Sequence, residues 1–113
     1  MATRLPQGAL ALIDVRKLED YCLNPSHPRG RHKAHVFQEV LGLTREDAVW
    51  LRDALLAAAK SGEATPLTSD IWGAQWRVDA QMTRQARSVM VRTIWIIRTG
   101  ELRPRFVSAW VLK

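Results

Sequence analysis

Nine consecutive residues, His27-Pro28-Arg29-Gly30-Arg31-His32-Lys33-Ala34-His35, hold all three histidines of this chain with three arginines or lysines and no carboxylate. Imidazoles exchange protons near neutral pH and fixed cations stabilise developing negative charge. The combination suits acid–base chemistry on a phosphate. Lys33 lies four residues before Phe37 and seven before Val40, so its aliphatic stem borders an apolar helix face. An ammonium shielded in that way meets a phosphate as a point charge. His27 stands in a loop between Pro25 and Pro28, which can hold a ring rigidly for proton transfer, as general base or acid. His32 is a second candidate for that role. His32 and His35 share a helix face as a metal pair would, but no third ligand at cysteine or carboxylate spacing accompanies them. Neither a metal nor an organic cofactor is expected.

The elements that must position these groups follow from the apolar pattern. Val15, Leu18 and Cys22 are spaced for one helix face, and Asn24-Pro25 ends that helix. A second helix is predicted from near Arg31 to Val40, with Ala34, Phe37, Val40 and Leu41 at core spacing and Gly42 as its stop. Arg31, His32 and Lys33 then crowd a helix N-terminus, where the dipole disfavours cations and favours an anion. A bound anion would turn that repulsion into a site, which makes Arg31 and His32 substrate-binding candidates. A solvated helix end would carry the same residues at a cost of about a few tenths of a kcal/mol. Thr44 and Asp47 start a third helix that runs to about Lys60.

Near Thr65 the period changes to two. Trp76, Val78 and Ala80 alternate with polar residues, as do Val89 to Arg98 and Phe106 to Leu112, with Gly100 and Pro104 at the last turn. Helices first and strands afterwards predict a single α+β domain over 1–113. Its helical part is about 10–62 and its sheet part about 65–112, with the helices packed on a three- to four-stranded antiparallel sheet. The uncovered face of that sheet is where Arg77, Arg92 and Arg98 would gather. Arg92 offers a fork for two phosphate oxygens, and the Thr93 hydroxyl can donate to a third. Trp50, Trp95 and Trp110 fall in apolar-periodic segments and read as core. Trp72, beside Gly73 in a turn, is the best candidate for stacking on a base.

Charge placement supports a polyanionic partner. Residues 1–70 carry nine Lys/Arg and nine Asp/Glu, whereas residues 71–113 carry eight against two, so the whole +6 excess lies in the sheet half. With 47% hydrophobic and 25% charged residues the composition is that of a globular protein. No stretch is long and apolar enough for a membrane span, and the start shows no signal-peptide pattern. The lone Cys22 excludes an internal disulfide and fits a reducing compartment. A Gly-rich phosphate loop, a nucleophile elbow and a zinc-binding cysteine pair are all missing from the sequence.

The segment from Leu18 to Phe37 reads L-x-x-Y-x-L-N-P-x-H-P-x-G-x-x-K-A-x-x-F. It resembles an uncharacterised bacterial domain family, as do Leu41-Gly42-Leu43-Thr44 and Val91-Arg92-Thr93-Ile94-Trp95, and the likeness extends from about Leu5 to Leu112. His27, Gly30, Lys33, Arg92, Thr93 and Trp95 match its motif, whereas Arg31, His32 and His35 fall at variable positions. Such domains look like C-terminal toxin modules of contact-dependent inhibition and polymorphic toxin systems, and the resemblance extends to small free-standing proteins of toxin–antitoxin type. The resemblance implies kinship with the barnase, EndoU, colicin and RelE group of metal-independent ribonucleases.

The expectation is therefore a toxin that cleaves RNA, tRNA among the candidates, by attack of a 2′-hydroxyl to leave a 2′,3′-cyclic phosphate. His27, Lys33, Arg92 and Thr93 are the expected catalytic residues, and Arg31, His32, Arg77, Arg98 and Trp72 the expected substrate contacts. An acidic antitoxin or immunity protein is the expected partner. The expected place of action is the cytoplasm, its own or that of a target bacterium. The alternatives are a non-catalytic nucleic-acid-binding module and an interaction protein that meets an acidic inhibitor.

Overall fold

Caps and breakers divide the N-terminal half into helices, as seen in a computed structural model that describes residues 3–112. The Asp14 carboxylate accepts the Arg16 backbone N–H and starts α1 (Val15–Lys17), which runs on in wider π-helical turns over Leu18–Cys22. Helix α2 (Arg31–Leu41) ends at Gly42, whose φ of 65° suits a residue without a side chain. Thr44 and Asp47 form a reciprocal capping box ahead of a 3-10 turn (Arg45–Asp47), which leads into α3 (Ala48–Ser61).

The rest of the chain is an antiparallel meander of four strands in sequence order: β1 (Glu63–Asp70), β2 (Gly73–Arg84), β3 (Arg87–Arg98) and β4 (Arg105–Val111). The fold is α+β, with the helices on one face of the sheet. Between helices and sheet lie Leu18, Phe37, Leu41, Leu51, Leu55, Val78, Val91 and Trp95, all essentially inaccessible to solvent. Trp95 meets Phe106 edge to face, with ring centres 5.6 Å apart. The margin of β4 is not left bare. Leu12 bridges to Arg105 in parallel, and Lys17 Nζ donates to the Phe106 carbonyl at 3.1 Å.

One irregularity decides which side chains share the open face. Trp95 pairs with Phe106, but the next residue back, Ile94, pairs with Ser108, leaving Val107 as an extra residue in β4. Uninterrupted alternation would have kept Trp110 on the core side with Phe106. The bulge reverses the phase, so Ala109 and Val111 turn to the core while Ser108 and Trp110 join Ile94 and Arg92 on the open face. Trp110 is thus half-buried at the sheet margin rather than in the core. Trp95 is core, and Trp50 is half-buried beneath the Arg84 guanidinium.

Candidate functional site

Lys33 projects from the first turn of α2 toward the free side of β4. Its ammonium lies 4.7 Å from the centre of the Trp110 ring and 5.5 Å from that of Tyr21, and it donates to Ser108 Oγ at 3.2 Å. Ser108 and Trp110 belong to the open face, so the lysine spans the sheet edge. Two π-faces and a hydroxyl hold the charge, and among the described residues no carboxylate forms an ion pair with it. One N–H is committed to Ser108, leaving two directed at no acidic partner. Such a seat suits an anion. Beneath it, burial pushes the Cys22 thiol up to about 11, against the opposing pull of the Ala109 backbone and of the Lys33 and Lys17 charges. Cys22 is a packed apolar group there, not a nucleophile.

His27 braces the loop that delivers α2. Its Nδ1 accepts the backbone N–H groups of Arg29 and Gly30, each at 3.0 Å, and its carbonyl accepts the Arg31 N–H at 3.0 Å. Two donors on Nδ1 place the ring proton on Nε2. The ring packs edge to face on Tyr21, with centres 4.8 Å apart, so Tyr21 connects His27 to Lys33. Gly30 is required because a Cβ at that position would collide with the Tyr21 carbonyl oxygen. In this arrangement the nitrogen that a general base would need facing substrate is turned inward as a cap.

Arg92 is the direct cross-strand partner of Trp110 on one side and of Asp79 on the other. Its Nε and one terminal nitrogen donate to the two Asp79 oxygens at 2.9 Å each, and Arg77 approaches the same carboxylate at 3.8 Å. The hydrogen-bonded Arg92 guanidinium holds the Asp79 carboxyl below its usual range, with the Arg77 charge adding to the effect. The pair fixes the plane of the fork and leaves the other terminal nitrogen of Arg92 with its donors unused by Asp79. Lys33, Trp110, Arg92 and Arg77 therefore form one stretch of surface across the open face.

Thr93 faces the opposite way. Fully buried, it donates to the Val78 carbonyl at 2.7 Å and accepts from Trp95 Nε1 at 2.8 Å. Its hydroxyl ties β3 to β2 and anchors the core indole. Arg31, His32 and His35 are exposed on α2. His32 lines a hollow of about 290 Å³ with Lys33, Val36, Trp110 and Val111, which places an imidazole beside the lysine seat. Arg98 and Trp72 lie elsewhere. Arg98 pairs with Gly73, immediately after the 73% exposed Trp72, at the far end of the sheet. Arg98 lies six positions beyond Arg92 on β3, about 20 Å along an extended strand.

Sequence reasoning missed Tyr21, Asp79, Ser108 and Trp110 as members of this neighbourhood. Asp79 carried a signal, being one of two acidic residues in a half with eight basic ones. Ser108 and Trp110 carried none, because the bulge that turns them outward leaves no mark in the alternation. Among the described residues no three His, Cys, Asp or Glu side chains gather as a metal site. No described helix is long and apolar enough to cross a membrane.

The profile of a family described as "Domain of unknown function (DUF6883)" matches residues 4–113. Among solved structures, a chain of a contact-dependent growth inhibition toxin–immunity protein complex from Klebsiella pneumoniae 342 is similar, with a TM-score of 0.70 at 15% sequence identity. The alignment covers 90% of this chain and 100% of that one, and at such identity the likeness is one of fold. No curated protein matches the chain.

Proposed function

The chain belongs to the DUF6883 family, and we propose that it is a bacterial toxin module acting as a metal-independent endoribonuclease. The observation that carries this reading is the Lys33 ammonium, held by two aromatic rings and a hydroxyl and left without a carboxylate among the described residues. Two further facts support it. The fold resembles a chain from a complex named for a toxin and its immunity protein, and the +6 charge suits the member of such a pair that acts on a polyanion. An acidic immunity protein or antitoxin is the partner that this charge would attract.

In the proposed reaction the RNA strand lies on the open face, with the scissile phosphate between Lys33 and Arg92. His32, in the hollow beside the lysine, takes the proton of the ribose 2′-hydroxyl as the 2′-oxygen bonds to phosphorus. The bond from phosphorus to the 5′-oxygen breaks, and the leaving oxygen receives a proton from the protonated imidazole or from water. The products are a 2′,3′-cyclic phosphate and a 5′-hydroxyl. Lys33 and the unused donors of Arg92 stabilise charge on the non-bridging oxygens, while the Trp110 indole beside the lysine supports the adjoining sugar or base. His27 and Thr93 act at one remove. The first holds the loop that aims α2, and the second holds the β2–β3 register that aims Arg92. RNA of the cytoplasm is the substrate pool for such a toxin.

Induced expression in a bacterial host tests the biological half of this reading. Wild-type protein is expected to arrest growth, and Lys33→Ala, made to the same level, is expected not to. Protection from a co-expressed toxin in place of arrest would assign the chain to the immunity side.

A further inference from the structure

A second basic groove lies at the margin of β4, between the N-terminal segment and the open-face residues at the end of β3. It encloses about 360 Å³ and is lined by Lys17, Arg98 and Arg105 around the apolar Leu12, Ile96 and Val107. The one carboxylate in its wall, Asp14, is already held by Arg16 at 2.9 Å, and Arg105 is held by Glu101 at 2.9 Å. Arg98 is different. Its side chain is exposed, and its guanidinium makes no hydrogen bond or ion pair with a described residue; the Glu101 carboxylate, committed to Arg105, feels its charge only from beyond contact distance.

The position of this groove relative to Lys33 and Arg92 gives it meaning. Arg92, Ile94, Ile96 and Arg98 follow one another on the same face of β3, so two arginines whose backbone positions lie about 20 Å apart are joined by an apolar floor. Cations spaced along a half-buried apolar track match the alternation of phosphates and bases in a single strand, whereas a single phosphate would need only one end. We infer that this groove is a distal phosphate seat, which holds a phosphodiester several nucleotides away from the one at Lys33 and makes extended single-stranded RNA the substrate class. The inference rests on the ribonuclease reading for its near end. It predicts that binding strengthens with strand length until the distal seat is filled.

The test is fluorescence anisotropy with labelled RNA analogues bearing 2′-deoxy sugars, a dinucleotide and an octanucleotide, alongside cleavage of the unmodified octanucleotide. The octanucleotide should bind about tenfold or more tighter. Arg98→Ala should remove most of that advantage, leave the dinucleotide unchanged and lower the salt slope of octanucleotide binding by about 0.7. Arg98→Lys should restore part of it. Cleavage in which length brings no gain, or in which Arg98→Ala weakens both ligands equally, overturns the distal seat alone. Length-dependent, Arg98-dependent binding without cleavage keeps the seat and overturns the ribonuclease reading. Binding of neither ligand overturns both.

Discussion

Lys33 Nζ sits 4.7 Å from the centre of the Trp110 ring, and Trp110 is in turn the direct cross-strand partner of Arg92. The indole that carries the ammonium of a helix residue thus stands on the strand position directly opposite an arginine of the sheet. It supplies a flat apolar surface beside the ammonium, on the same open face of the sheet as Arg92. Trp110→Ala should therefore lower kcat/KM on RNA about tenfold, the size of a partly desolvated cation–π contact, while Trp110→Phe keeps most of the activity. Steady-state cleavage rates of the two variants check this.

His27 offers a sharper separation of roles. Its Nδ1 accepts two backbone N–H groups, so His27→Ala should destabilise the protein by about 1–2 kcal/mol in urea unfolding. Asparagine presents an oxygen close to the place of Nδ1 but cannot transfer a proton near neutral pH. His27→Asn should consequently regain most of the stability and cleave RNA at near the wild-type rate. A folded but inactive His27→Asn protein would make the imidazole a proton carrier instead.

Thr93 is a structural hinge of the same site. Thr93→Val keeps the shape but strands the buried Trp95 indole N–H and removes the hydroxyl's own bond to the Val78 carbonyl, at a cost of about 1–3 kcal/mol. Thr93→Ser retains both hydrogen bonds and should cost about 1 kcal/mol for the lost methyl group. Chemical denaturation with tryptophan fluorescence reads both values.

The Arg92–Asp79 pair gives the protein an acid dependence of known sign. The Asp79 carboxyl is held below its unfolded value, so the folded state binds fewer protons there than the unfolded chain. Its contribution is complete above the ordinary carboxylate range and is lost as pH falls through the lowered folded value. Asp79→Asn should be less stable at neutral pH, and the difference from wild type should shrink on acidification below about pH 4. Thermal unfolding between neutral and acidic pH measures that convergence.

Much of this fold was legible because local signals agreed with it. Gly42 stops α2 with a positive φ, and Thr44 with Asp47 caps the next helix as the residue types predict. Two features left no such trace. The β2–β3 hairpin turns on Gln85 and Ala86, at φ of 52° and 67°, where glycine or asparagine would have announced the turn. Strand β1 is an edge strand with only Ala64 buried, so no alternation marks it. Of the candidate site, Lys33 and Arg92 were readable from residue type and spacing. The inward cap by His27 and the outward turn of Trp110 were not, since each depends on a contact with a distant or irregular part of the chain.

Cleavage of a 5′-labelled RNA by purified protein in EDTA, with the new ends identified chemically, addresses the proposed chemistry most directly. Wild-type protein should yield fragments ending in 2′,3′-cyclic phosphate, and Lys33→Ala should be slower by about two to three orders of magnitude while remaining folded. RNA left intact at high protein concentration, or a Lys33→Ala protein that cuts as fast as wild type, would contradict a lysine-centred ribonuclease site.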